Sequence, residues 1–201
     1  MIKKKRTAKV VVRNLWLVIF CFLSIINSPK SILAEENNEG QIPDRYGLAT
    51  IIGYNYDPSE NIVFGLLSAF VLYDYDKIWP HAAPEALRFK MEFSAGSTLK
   101  NEKGVILSAG FLALYYLDSL AGENYQPYVE AGVGGIFTQW QVEGQGSKLN
   151  FNPQIGLGME FSLGSGSPFL AALRLHHISN GGLDDDNRGV NSVVFVFGRF
   201  F

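Results

Sequence analysis

The segment "ALRFKMEFSAG", residues 86–96, divides by parity. Leu87, Phe89, Met91, Phe93 and Ala95 fall on one side; Arg88, Lys90, Glu92, Ser94 and Gly96 fall on the other. Side chains of a β-strand alternate between faces, so this is strand periodicity. A row of Arg, Lys and Glu is costly against lipid but natural inside a barrel, where opposite charges can pair. The bulky apolar row then turns toward hydrocarbon.

The same division recurs on either side of this segment. In "YGLATIIGYNY", Tyr46, Leu48, Thr50, Ile52 and Tyr54 oppose Gly47, Ala49, Ile51 and Gly53. In "YQPYVEAGVGGIF", Tyr125, Val129, Ala131, Val133 and Phe137 oppose Gln126, Tyr128, Glu130, Gly132 and Gly134. "NPQIGLGMEF" sets Ile155, Leu157, Met159 and Phe161 against Gln154, Gly156, Gly158 and Glu160. Small and charged residues fill the second face. A narrow barrel needs small residues where opposite walls approach, whereas a sandwich would bury a bulkier aliphatic face.

The pattern predicts eight strands, near residues 45–56, 61–75, 85–98, 104–118, 124–138, 149–163, 169–180 and 190–201, separated by turn material such as "DPSE", "EGQGSK" and "GSGSP". An even count suits a single-chain bacterial barrel with both ends in the periplasm. The last strand carries Val193, Phe195, Phe197 and Phe201 on one face, an aromatic ending like that of outer-membrane barrels. The expected fold is therefore all-β: an eight-stranded antiparallel transmembrane β-barrel of the outer membrane. A soluble lipocalin-like barrel would close the same sheet but place its richest apolar face inside. Arg174, Arg88 and Lys90 are expected to pair inside with Glu92, Glu130 or Glu160.

Residues 1–34 are expected to be a cleaved signal peptide: Lys3, Lys4, Lys5, Arg6, Lys9 and Arg13 precede the apolar run "LWLVIFCFLSII", and Ala34 marks a cleavage site. Residues 35–44 follow as a flexible polar leader and residues 45–201 as the barrel. Seven of the 17 basic residues and none of the 19 acidic ones lie in that signal, leaving ten basic against 19 acidic. Such an acidic excess argues against a general nucleic-acid binder. The only cysteine, Cys21, falls within the signal, so no mature disulfide is expected.

Within "FLAALRLHHISN", Leu173 and Leu175 share parity with His177 and Ser179, while Arg174 and His176 alternate with them. If the leucines face lipid, His177 and Ser179 do too, a placement suited to a substrate that is itself a membrane lipid. From a periplasmic start, the seventh strand runs outward and carries Ser179 toward the outer leaflet. Asn191 leads the returning strand on the parity of Val193 and can face His177. A neutral imidazole can take the proton of a serine hydroxyl, making it a nucleophile toward an acyl ester. Asn180 and the backbone N–H groups around "NGG" are candidate donors to the developing oxyanion. His176 reads as a lumenal hydrogen-bonding residue and His81 as a solvated turn residue. Asp184, Asp185 and Asp186 read as a solvated loop tip.

The run "HISNGGLDDDNRGVN", residues 177–191, together with the barrel pattern and C-terminal strand, resembles the PagL-type lipid A 3-O-deacylases, outer-membrane serine hydrolases. The resemblance implies removal of the ester-linked 3-hydroxyacyl chain at position 3 of lipid A. It implies His177 as base and Ser179 as nucleophile, with Asn180 and Gly182 at the oxyanion site and Asn187 in support. The chain departs from the family pattern at Asn191, where a glutamate orients the histidine. Asparagine can accept a hydrogen bond from imidazole but brings no negative charge. That leaves a neutral orienter, a different acidic partner, or a barrel without activity.

Expected partners are lipid A or lipopolysaccharide as substrate and the surrounding outer-membrane lipids, with a homodimer left open and neither cofactor nor metal expected. Competing readings are a noncatalytic structural or lipid-binding barrel and a related phospholipid esterase. A pore is disfavoured by the narrow, charged interior.

Overall fold

The computed structural model describes residues 44–201 except 59–60, 80 and 101–102. The expected signal peptide, residues 1–34, and the leader up to residue 43 lie outside the described residues. Alternating rows build β1 (Arg45–Asp57), β2 (Val63–Asp74), β3 (Leu87–Lys100), β4 (Val105–Tyr116) and β5 (Tyr125–Thr138). They are followed by β6 (Leu149–Phe151), β7 (Gln154–Phe161), β8 (Phe169–Ile178) and β9 (Val190–Phe200). One helical turn, α1 (Tyr75–Ile78), lies between β2 and β3.

The strand pairings are antiparallel, β4 pairs with β5, and β9 returns to β1, which closes the sheet. β6 and β7 both pair with β5 and form one strand interrupted at Asn152 and Pro153, so the nine described segments make an eight-stranded barrel. Closure satisfies the backbone groups that an open edge would leave bare in lipid. The outward rows carry Leu48, Ile52, Phe93, Val133, Leu157 and Phe195, all exposed to the surrounding medium. Phe89 belongs to the outward row yet is buried, because Tyr75 and Trp79 at α1 meet its ring edge-on at 6.5 and 6.2 Å.

The lumen is filled rather than open. Midway along it, Arg174 donates from Nε to Glu130 at 2.7 Å and from Nη1 to Glu92 at 2.9 Å, while Lys90 reaches Glu130 at 2.9 Å. Two cations and two carboxylates thus neutralise one another away from water. Toward the long-loop end, Ile62, Trp140, Val142, Ile178 and Val190 are buried in one apolar cluster. Removing one partner of a buried ion group leaves the others uncompensated, at a cost of about 3–5 kcal/mol. Glu130→Ala is therefore expected to lower the urea midpoint of the refolded barrel markedly, read from tryptophan fluorescence in vesicles.

Two expectations need correction. Arg88 does not join the lumenal carboxylates: its strand begins opposite Asp74, which lies 4.0 Å away, and the guanidinium also donates to the Glu85 and Leu87 carbonyls. Glu160 is instead taken by Arg45, at 2.7 Å. The small lumenal residues also have a nearer cause than the opposite wall. A Cβ on Gly53 would lie 2.0 Å from the ring of its cross-strand partner Phe64, and one on Gly158 would lie 2.2 Å from that of Tyr128. The aromatic ring lies over its glycine, shielding backbone that no side chain covers.

Candidate active site on the outer wall

β8 turns Leu173 and Leu175 outward, 57% and 53% exposed, and the half-buried His177 and Ser179 continue that row. Arg174 and His176 point inward; His176 Nε2 lies 3.2 Å from Asn152 Nδ2 in the lumen. The break in the wall at Asn152 and Pro153 falls directly beside the pair. The His177 N–H donates to the Pro153 carbonyl at 3.0 Å. Ser179 exchanges both backbone bonds with Phe151, at 2.8 and 3.1 Å. Proline lacks an N–H and interrupts the ladder, and such irregularities re-aim neighbouring side chains.

On the other side, the register pairs His177 with Asn191, and His177 Nδ1 lies 2.6 Å from Asn191 Oδ1. An amide oxygen only accepts, so Nδ1 carries a proton, and in the neutral ring Nε2 then keeps the lone pair. Asn191 Nδ2 donates to Asp57 Oδ2 at 2.9 Å, and Arg188 Nη2 donates to Asp57 Oδ1 at 2.7 Å. Gly189 packs against the imidazole: an added Cβ would stand 2.5 Å from His177 Cε1. Neither Asp57 nor Gly189 is marked by any spacing in the sequence. Asp57 is 134 positions from Asn191 and arrives only through closure of β1 on β9.

The loop after Ser179 is braced from within. Asn180 to Leu183 form a turn closed by a 3.3 Å backbone bond, with φ of 67° at Gly181 and 81° at Gly182. Positive φ at both central positions is the conformation glycine adopts freely. The Asn180 N–H donates to Asn187 Oδ1 at 2.9 Å, and Asn180 Oδ1 accepts the Gly182 N–H at 2.9 Å. Asn180 Nδ2 reaches the Asp186 carbonyl at 2.8 Å. The donors of Asn180 and Gly182 are thus engaged inside the loop. Among the described residues, no hydrogen bond takes up the Gly181 N–H, and none joins the Ser179 hydroxyl to His177. The loop is latched to residues 139–148 by Arg188 N–H on the Gly144 carbonyl, at 2.7 Å.

A cleft of about 300 Å³ opens beside the imidazole, lined by Tyr56, Pro153, Ile155, Leu175, His177 and Asn191. A larger outward groove of about 730 Å³, between Leu48, Val71, Met91, Phe93 and Phe111, contains none of the candidate catalytic or oxyanion residues.

A family model described as lipid A 3-O-deacylase (PagL) matches residues 68–199, most of the barrel. The chain is also 31% identical over 130 residues to the lipid A deacylase PagL of Pseudomonas aeruginosa, covering 62% of this chain and 72% of that protein. The chain belongs to the PagL family. Among solved structures, that of the outer membrane enzyme PagL matches with a TM-score of 0.55 at 22% identity, over 76% of this chain and 97% of the other. Neisserial surface protein A gives a TM-score of 0.59 at 14% identity, over 78% and 95%. The barrel is thus shared with a protein of only 14% identity, and the fold by itself carries no chemistry. The PagL match spans His177, Ser179 and Asn191 but begins after β1, so it leaves out Asp57.

Proposed function

We propose that this PagL-family barrel hydrolyses the ester-linked 3-hydroxyacyl chain at position 3 of lipid A, with Ser179 as nucleophile and His177 as base. The observation that carries the reading is the His177–Asn191 contact on the lipid-facing wall, at 2.6 Å, which leaves imidazole Nε2 free to accept a proton. A base on the outer wall meets substrate embedded in the membrane, and the cleft beside it offers Ile155 and Leu175 to an acyl chain.

In this reading His177 Nε2 takes the Ser179 hydroxyl proton as Oγ bonds to the ester carbonyl carbon. The Gly181 N–H supports the resulting oxyanion. Collapse breaks the bond to the sugar 3-oxygen, which leaves with the proton from His177. Water, deprotonated by the same nitrogen, then releases a 3-hydroxy fatty acid and restores Ser179. Asn191 keeps the ring oriented through each proton transfer. The absent Ser179–His177 hydrogen bond favours a second reading, a lipid-binding barrel without turnover.

Mass spectrometry of lipid A and phospholipids from membranes carrying the parent, Ser179→Ala or His177→Ala separates these readings. Loss of one 3-hydroxyacyl mass from lipid A with the parent alone is the expected result. Loss from phospholipid would reassign the substrate, and unchanged lipids beside a folded parent barrel would favour the binding role.

A further inference from the structure

We propose that Asp57 is a positioning residue for His177, acting through Asn191; the proposal rests on His177 serving as the base. An asparagine amide has two ends of similar size, and only one of them suits this site. With its oxygen toward His177 Nδ1 it accepts the ring N–H and leaves Nε2 bare. Turned over, it would donate to Nδ1 and drive the ring proton to Nε2, removing the base. Nothing in asparagine itself decides between these. A carboxylate only accepts, so Asp57 Oδ2, 2.9 Å from Asn191 Nδ2, holds the amide in the productive sense.

The chain is built to deliver that carboxylate. On regular alternation Asp57 would share the side of Asn55, which is fully buried and directs its side chain to the Ile62 N–H and the Pro58 carbonyl. The β1–β9 register instead shifts between Asn55 and Asp57: Asn55 pairs with the buried Ser192, and Asp57 pairs with Asn191. The extra residue, Tyr56, moves Asp57 into the outward row, a re-aiming for which such bulges are known beside active sites. Arg188 then binds the other carboxylate oxygen at 2.7 Å, and its own N–H is tied to the Gly144 carbonyl, so Asp57 is held from two sides. Asp57 also places a carboxylate, paired with Arg188, directly behind a neutral orienter. It is thereby the acidic partner that Asn191 lacks.

The test reads the ring proton directly. In the refolded, ¹⁵N-histidine-labelled barrel, His177 is expected as the Nδ1–H tautomer in the parent and to shift toward Nε2–H in Asp57→Ala. Where the parent turns over lipid A, kcat for Asp57→Ala is expected to fall about 10²-fold, with KM little changed. The exchange variant Asp57→Asn with Asn191→Asp keeps one charge and the hydrogen bond, and is expected to restore both the Nδ1–H tautomer and turnover. An Nε2–H parent, or a tautomer that Asp57→Ala leaves unmoved, overturns the proposal whatever the activity. A tautomer that shifts as expected in a parent inactive on lipid A supports the positioning role and removes the substrate assignment instead.

Discussion

Ser179→Ala is expected to abolish acyl release, lowering kcat by about 10⁴-fold or more while the barrel still folds. The substitution deletes one hydroxyl and nothing else that holds the site. Both bonds between Ser179 and Phe151 are main-chain bonds, and the turn at Gly181 and Gly182 closes through Asn180. A half-buried outward hydroxyl contributes within about 0.5 kcal/mol to stability, so heat-modifiable mobility should not change. His177→Ala should cost as much, and the double variant no more than either single one, because nucleophile and base act as a unit. Fatty-acid release from lipid A in mixed micelles measures all three. Ser179→Ala activity within about tenfold of the parent would place the nucleophile elsewhere.

Gly189→Val should be the next most damaging change, and for a steric reason. A Cβ at this position would stand 2.5 Å from His177 Cε1 and 3.2 Å from Nε2, so ring or backbone must shift by about 1 Å to reach ordinary contact. A displacement of that size at a reacting nitrogen costs about 10²-fold in rate. Gly189 precedes β9 and is only half-buried, so the loss should appear in kcat and not in the unfolding midpoint. Gly135→Ala is the matched control: a methyl there meets nothing within 4 Å on the lipid side of β5, and the rate should hold. Equal losses at Gly135 and Gly189 would show a general sensitivity of the barrel rather than contact with the imidazole.

Much of the wall was legible residue by residue. The parity of "LRLHHIS" alone places Arg174 and His176 inside and His177 and Ser179 outside, and the alternation of buried Arg174 and His176 with exposed Leu173 and Leu175 and half-buried His177 and Ser179 agrees. The facing of Asn191 toward His177 follows from the same parity carried across one hairpin. Legibility ended where a contact depends on a distant strand. Arg88 and Glu160 were read as partners of the lumenal charges because both are charged and inward by parity, but both lie around one pocket at the same end of the barrel, where Asp74 lies nearest Arg88 and Arg45 takes Glu160. The engagement of Asn180 and Gly182 within their own loop was equally hidden, since short polar side chains choose among several nearby backbone groups.

The sequence by itself determined which side of the wall each residue occupies, because backbone pleat and the contrast between lipid and a packed polar interior act at every position separately. Only the tertiary structure decided who meets whom. Closure of β1 on β9, with one bulge at Tyr56, carries Asp57 across 134 positions to Asn191; a break at Pro153 seats His177 and Ser179. Those contacts depend on register around the whole barrel, where a shift of one residue would reverse every facing, and no local pattern records it.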